Sequence, residues 1–245
     1  MHDLGYGMSE TPTPSDSLIP ALGAAGYFAA EPVSIPVDRI LRLQGYREPE
    51  KVRRPIRRAA KKAADIADDI TAGEAGYRRI AIESCIESRL TLASGECFEC
   101  GAFPHFLHES DSVLVFALTA GSALDSAIDE LMAADDAVTA LFLDSAGWLA
   151  VESITRQFVR RLRVDCEPSG LRITRRMGPG YTYRVGQEML SWPLEEQTKL
   201  FAALGDDASP VEVLESGAML PKMSRSGLYG LRPRSPAGER EQMDD

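Results

Sequence analysis

Val113-Leu114-Val115-Phe116-Ala117-Leu118-Thr119-Ala120-Gly121 is the stretch whose reading decides the fold. A short unbroken apolar run, rich in Val and aromatic residues, predicts a strand buried on both faces. The Thr-Ala-Gly that closes it turns the chain into a helix carrying Leu124, Ile128 and Leu131. Asp135 or Asp136 can then cap a longer helix over 137–163. Its expected inner face holds Val138, Leu141, Phe142, Leu149, Phe158 and Leu162.

Upstream, Val52, Ile56, Ala59, Ala63, Ile66 and Ile70 make an apolar stripe at helical spacing. They predict a helix that starts between Pro49 and Pro55 and ends at Thr71, before Gly73. The segment Tyr77–Leu92 reads two ways. Ile80, Ile82, Ile86, Leu90 and Leu92 keep the even spacing of a strand, whereas Ile82, Cys85, Ile86 and Leu90 share a helical face. Downstream, Leu171 and Ile173 alternate with polar residues, which predicts a strand leading into Arg175–Tyr181. Pro193 suits the first position of a helix carrying Leu194, Gln197, Leu200, Phe201 and Leu204. Short strands around 211–218 and 226–231 would close the sheet. Helices and strands mix without regular βαβ alternation, so the expected class is α+β, with a central twisted, mainly antiparallel sheet flanked by helices. The segment 1–32, rich in Gly, Ser, Thr and Pro, reads as a loose tail, and 232–245 reads the same way. The folded body expected is 33–231.

Composition narrows the function. The 245 residues are 44% hydrophobic and 26% charged, with a formal net charge of −10. That balance argues against nucleic-acid binding, which needs surplus Lys and Arg to neutralise phosphates. No apolar run of membrane-spanning length is seen, so no membrane insertion is expected. Met1-His2-Asp3 opens without a basic and then apolar signal, so a cytoplasmic protein is expected. A dinucleotide-binding Gly-x-Gly-x-x-Gly after a strand, a phosphate-binding loop and a His-Glu-x-x-His helix are all missing.

Cys97-x2-Cys100-x4-His105-x2-His108 gathers four metal-type ligands within twelve residues. The central spacing is far shorter than in a zinc finger, and Phe98, Phe103, Phe106 and Leu107 point to packing, which is the expectation. A small zinc-binding interaction protein is the alternative that this cluster raises. The basic run Lys51-Val52-Arg53-Arg54-Pro55-Ile56-Arg57-Arg58, with Lys61 and Lys62, lies off the apolar stripe and reads as a solvated helix face.

Three stretches in register carry a family resemblance. The first is Val113–Gly121 with the helix pair through Leu162. The second is Arg176-Met177-Gly178-Pro179-Gly180-Tyr181, followed by Trp192-Pro193-Leu194, Gln197 and Leu200-Phe201. The third is Leu214-Glu215-Ser216, Met219, Pro221 and Ser224-Arg225-Ser226-Gly227. In this order they resemble the activation (reactivation) domain of cobalamin-dependent methionine synthase in a free-standing form, over about 36–231.

The resemblance implies a repair reaction. One electron from a flavodoxin- or ferredoxin-type donor reduces inert Co(II)-cobalamin to Co(I). Methyl transfer from S-adenosylmethionine (AdoMet) then traps it as methyl-cobalamin. The chain has no room for folate, homocysteine and cobalamin domains, and it lacks Asp-x-His-x-x-Gly. A cobalamin-binding methyltransferase subunit, as in a split methionine synthase, is therefore the implied partner. A non-catalytic AdoMet-sensing or scaffold protein of a corrinoid methyltransferase is the alternative.

The matching family motif is an Arg followed four residues on by Gly-Tyr, which Arg176, Gly180 and Tyr181 fill. Arg176 offers a planar fork to the methionyl carboxylate. Met177, Gly178, Pro179 and Gly180 form the turn against the ligand, and Tyr181 is the residue assigned to the reaction, its ring at the corrin. Glu152 is implied to meet the AdoMet ammonium or a cobalamin-domain group, although Arg156, one helical turn on, is a ready partner. Ser226 and Gly227, with Ser224, match a Ser-x-Ser-Gly edge that passes close to the cofactor. The basic run would dock an acidic electron donor.

Overall fold

A computed structural model describes residues 17–234. In chain order, β1 (Ala25–Ala29) precedes two helices, α1 (Val37–Leu43) and α2 (Arg54–Ile70). Three strands follow, β2 (Glu74–Ile86), β3 (Arg89–Leu92) and β4 (Cys97–Glu99), then the one-turn helix α3 (Phe103–Phe106) and β5 (Ser112–Thr119). Helices α4 (Ala123–Ala133) and α5 (Ala137–Cys166) lead to β6 (Leu171–Ile173). The hairpin β7 (Thr182–Val185) and β8 (Glu188–Ser191) precedes α6 (Gln197–Leu204). Last come β9 (Glu212–Val213), β10 (Met219–Leu220) and β11 (Ser224–Pro233).

Seven strands make one antiparallel sheet in the order β4-β3-β2-β5-β11-β6, with β1 paired to the first half of β2. The fold is α+β, as the sequence predicts. All eight residues of β5 are buried, because this strand lies mid-sheet with side chains packed on both faces. Leu114, Phe116 and Leu118 point to a layer built from α1, α2, α4 and α5. Val113, Val115 and Ala117 point to a second cluster around Phe98, Phe103, Trp192 and Leu200. The ambiguous Tyr77–Leu92 segment is two strands, β2 and β3, joined by a tight turn.

Helix α2 packs on α5 through Ala60, Ala63, Ala64 and Ala67, small residues that let the two backbones approach; the larger Val52, Ile56 and Ile70 flank that seam. Asp136 is the cap of α5, its carboxylate accepting the Thr139 amide at 3.3 Å and Lys62 at 2.9 Å. By length and composition α5 could cross a membrane, yet 61% of its apolar window is buried inside the protein, as in a core helix.

Five expectations need correction. The expected loose tail of 1–32 is ordered in its second half: Ala25–Ala29 is an edge strand, where Gly26 lies against the Tyr77 ring, and Leu18 is buried in the core. Residues 1–16 lie outside the described residues. At the other end β11 runs to Pro233, so 232 and 233 belong to the sheet, and 235–245 lie outside the described residues. Val138 and Leu141 are about half exposed, at 47% and 52%. The buried face of α5 is set by Phe142, Leu143, Ala146, Ala150, Ile154 and Phe158. The 211–218 segment does not close the main sheet. It pairs with Met219–Leu220 as a separate small hairpin, and Pro221, having no N–H, ends that ladder. Pro193 precedes rather than begins a short 3-10 turn, Leu194–Glu196, that runs into α6.

Phe158 sits at the centre of the helix-side core, with ring centroids 5.4 Å from Phe28, 5.6 Å from Tyr77 and 5.4 Å from Phe116. Phe158→Ala should cost about 3–5 kcal/mol in denaturant unfolding. Leu141→Ala should stay within about 0.5 kcal/mol. Similar losses from the two would contradict this assignment of the α5 faces.

Candidate functional site

Beyond β6 the chain keeps to the edge of β11. The Thr174 amide bonds the Gly230 carbonyl at 2.9 Å, and Met177 exchanges both backbone bonds with Leu228 at 2.9 and 2.7 Å. The glycine turn that follows is fastened at two points. Tyr183 Oη accepts the Gly178 amide at 2.6 Å and donates to the Gly178 carbonyl at 3.0 Å. The Gly180 amide bonds the Trp192 carbonyl at 2.8 Å, and the Trp192 amide bonds Tyr181 at 2.9 Å. Trp192 itself is buried, its indole N–H donating to Glu196 at 2.7 Å. Glu196 also accepts the Glu99 amide at 3.0 Å, which ties the turn to β4.

Gly227 is where the turn meets the sheet. Its φ is +152°, and a Cβ there would lie 2.3 Å from the Met177 carbonyl oxygen, so no side chain fits. Gly180, at φ +81°, lets the chain reverse beside Leu194.

Arg176 emerges from this turn. Its Nη1 donates to the Ser226 carbonyl at 3.2 Å, and its guanidinium lies 4.4 Å from the Tyr181 ring centroid. Tyr181 is 44% exposed and forms the outer wall. Arg225, two residues before Gly227 on the same face of β11, donates to Thr155 Oγ1 of α5 at 3.1 Å. Among the described residues neither guanidinium has a carboxylate within ion-pair distance. Burial holds Arg225 below its usual range, and the like charge of Arg176 adds to that. Tyr229, under the same face, is pushed up to about 12 by burial, against the pull of Arg176, Arg225 and Arg163.

The other residues singled out from sequence sort clearly. Arg176, Gly178, Gly180 and Tyr181 come together. Met177 and Pro179 are buried, and the Met177 side chain lies in the second core cluster, so Met177 contributes backbone only. Ser226 also points away from Arg176: its hydroxyl accepts Gln197 Nε2 at 2.9 Å on the far face, and only its carbonyl serves the site. Glu152 pairs with Arg156 at 2.6 Å and Arg39 at 3.3 Å and approaches Arg225 at longer range. Sequence reasoning missed Arg225, Tyr183 and the Trp192–Glu196 pair.

In the Cys–His segment, Phe98, Phe103 and Leu107 are buried. Cys97 Sγ lies 3.6 Å from Thr91 Oγ1, Cys100 is buried with its thiol pushed up by that burial, and His105 packs edge-on against Phe106. Among the described residues no three His, Cys, Asp or Glu side chains gather into a metal-type group. In the basic run, Arg57 pairs with Asp38 at 3.0 Å and Lys61 with Asp65 at 2.7 Å, as expected of a solvated face.

A turn exposed only at Gly180 and Tyr181, with two partly buried guanidiniums that form no ion pair, has the chemistry to take a small ligand that carries a carboxylate. Comparison with known proteins defines the fold. No protein-family model and no curated protein matches the chain. Thirteen solved chains match in structure, and they include the MetH reactivation domain bound to AdoHcy (S-adenosylhomocysteine). That likeness has a TM-score of 0.60 at 14% identity and covers 91% of this chain and 83% of the other.

Tyr183→Phe should leave the Gly178 amide without its partner, and the Gly178 carbonyl with only the Tyr181 amide at 3.4 Å, at a cost of about 1–3 kcal/mol. The Gly178 amide should then exchange with solvent at least about tenfold faster. Unchanged exchange would show that Tyr183 does not hold the turn.

Proposed function

We propose that this chain binds AdoMet at the Arg176–Tyr181 turn and serves as the reactivation subunit of a cobalamin-dependent methyltransferase, most simply a split methionine synthase. The observation that carries the reading is the turn itself. An Arg-x-x-x-Gly-Tyr segment is seated on a glycine of β11, in a fold shared with a reactivation domain that was solved with AdoHcy. AdoMet supplies an electrophilic methyl group when bound. The chain's own residues bind and orient it.

In this reading Arg176 takes the methionyl carboxylate with the part of its fork not used on Ser226. Gly178 and Gly180 keep side chains out of the ligand's way, and Gly227 lets the turn sit tightly enough on the sheet to hold Arg176 in place. Tyr181, outermost and over the guanidinium, is the side chain positioned to meet the corrin brought by the partner. Glu152 would meet the ammonium by giving up part of its pairing with Arg39, an exposed bond of low cost. A flavodoxin- or ferredoxin-type donor, being acidic, would approach the start of α2, where Arg53, Arg54 and Arg58 form no ion pair among the described residues.

Calorimetric titration with AdoHcy tests the reading. Wild-type protein should bind, and Arg176→Ala should bind about 10–100-fold more weakly, the loss of a charge-assisted bond. No heat with the wild type, or equal affinity in the variant, would overturn it.

A further inference from the structure

The sequence motif places only one arginine at this turn, but the structure brings a second beside it. Arg225 and Arg176 approach the same surface from opposite sides of Gly227, one along β11 and one from the turn. Their own bonds are few and neutral: Arg225 to the Thr155 hydroxyl, Arg176 to the Ser226 carbonyl. Thr155 is fully engaged, since its hydroxyl also donates to the Val151 carbonyl at 2.7 Å. The nearest acid on α5, Glu152, is held by Arg156 and Arg39. Two like charges, partly buried, are thus set side by side without a counter-ion.

Such an arrangement costs stability, because a desolvated cation needs a charge partner and a neutral hydroxyl is a weak substitute. A purely structural role would be served better by Met or Leu on this face, which packs against Phe116 and α5. An anion that arrives with the ligand removes the cost. From this geometry we infer that Arg225 is a second carboxylate-binding residue, which grips the amino-acid end of AdoMet or AdoHcy together with Arg176. The inference rests on the proposed binding of that ligand here. Its consequence is specificity: the site selects sulfonium and thioether nucleosides that carry a carboxylate over those that lack one. Glu152 of α5 acts on Arg225 only at longer range, its carboxylate being paired with Arg156 and Arg39.

The test titrates two probes into wild type, Arg225→Met and Arg225→Lys. AdoHcy carries the carboxylate. 5′-Methylthioadenosine keeps the adenosine and sulfur and lacks the amino-acid end. Arg225→Met should weaken AdoHcy about tenfold or more while leaving methylthioadenosine, or its failure to bind, unchanged. Its thermal midpoint should be equal to or above wild type, because the variant loses a repulsive charge; a purely structural Arg225 would lower it. If Arg225→Met does not fold, Arg225→Lys decides, since it keeps the charge without the planar fork and should still lose several-fold in AdoHcy affinity alone. Wild-type AdoHcy affinity in the folded variants overturns the role of Arg225 and leaves the AdoMet reading standing. A wild type that binds no AdoHcy removes both.

Discussion

Between β11 and the Arg176–Tyr181 turn there is no space for a side chain. The Met177 carbonyl would stand 2.3 Å from any Cβ at position 227, and the backbone there takes φ +152°. This contact lets Met177 pair with Leu228, aims the Arg176 guanidinium at the Ser226 carbonyl, and leaves Tyr181 outermost. Strand β11 can accept the turn because it is itself fixed, paired along its length to the fully buried β5. Rigidity therefore passes from the apolar centre of the sheet to the candidate site without a flexible link.

The other side of the turn is held by chemistry of a different kind. Tyr183 satisfies both backbone groups of Gly178, and the Trp192 backbone satisfies Gly180 and Tyr181. Trp192 is in turn fixed by Glu196, a buried acid that also holds β4. Polar groups inside this half of the molecule are thus spent on fastening the turn, while the two arginines at its surface go without charge partners. Two partly buried guanidiniums near one another without an ion pair are the feature that the proposed site accounts for.

Much of the fold was legible in the sequence because the decisive elements are strongly patterned. Strand β5 is apolar throughout since both faces are covered, and α2 shows its stripe since only one is. Strand β1 was not legible: Ala-Gly-Tyr-Phe-Ala resembles a glycine-rich tail, and it is ordered by backbone pairing to a strand fifty residues away. At the site, the Arg-x-x-x-Gly-Tyr spacing revealed Arg176, Gly180 and Tyr181. Within Ser224-Arg225-Ser226-Gly227 the serines and glycine match the motif, yet strand alternation turns Ser226 toward Gln197 and Arg225 toward Thr155 of α5. Which face of a strand looks at a ligand is set by its neighbours, and a single chain does not show them. The exposure of Val138 and Leu141 has the same origin, since small rotations of α5 are decided by what α1 and α2 bring to it.

In the proposed function this turn and strand form a site for the amino-acid end of AdoMet. Its most direct test is a crystal structure of the protein grown with saturating AdoHcy. The ligand is expected beside Tyr181, with its carboxylate against Arg176. AdoHcy bound elsewhere, or a turn left empty at saturation, would contradict it.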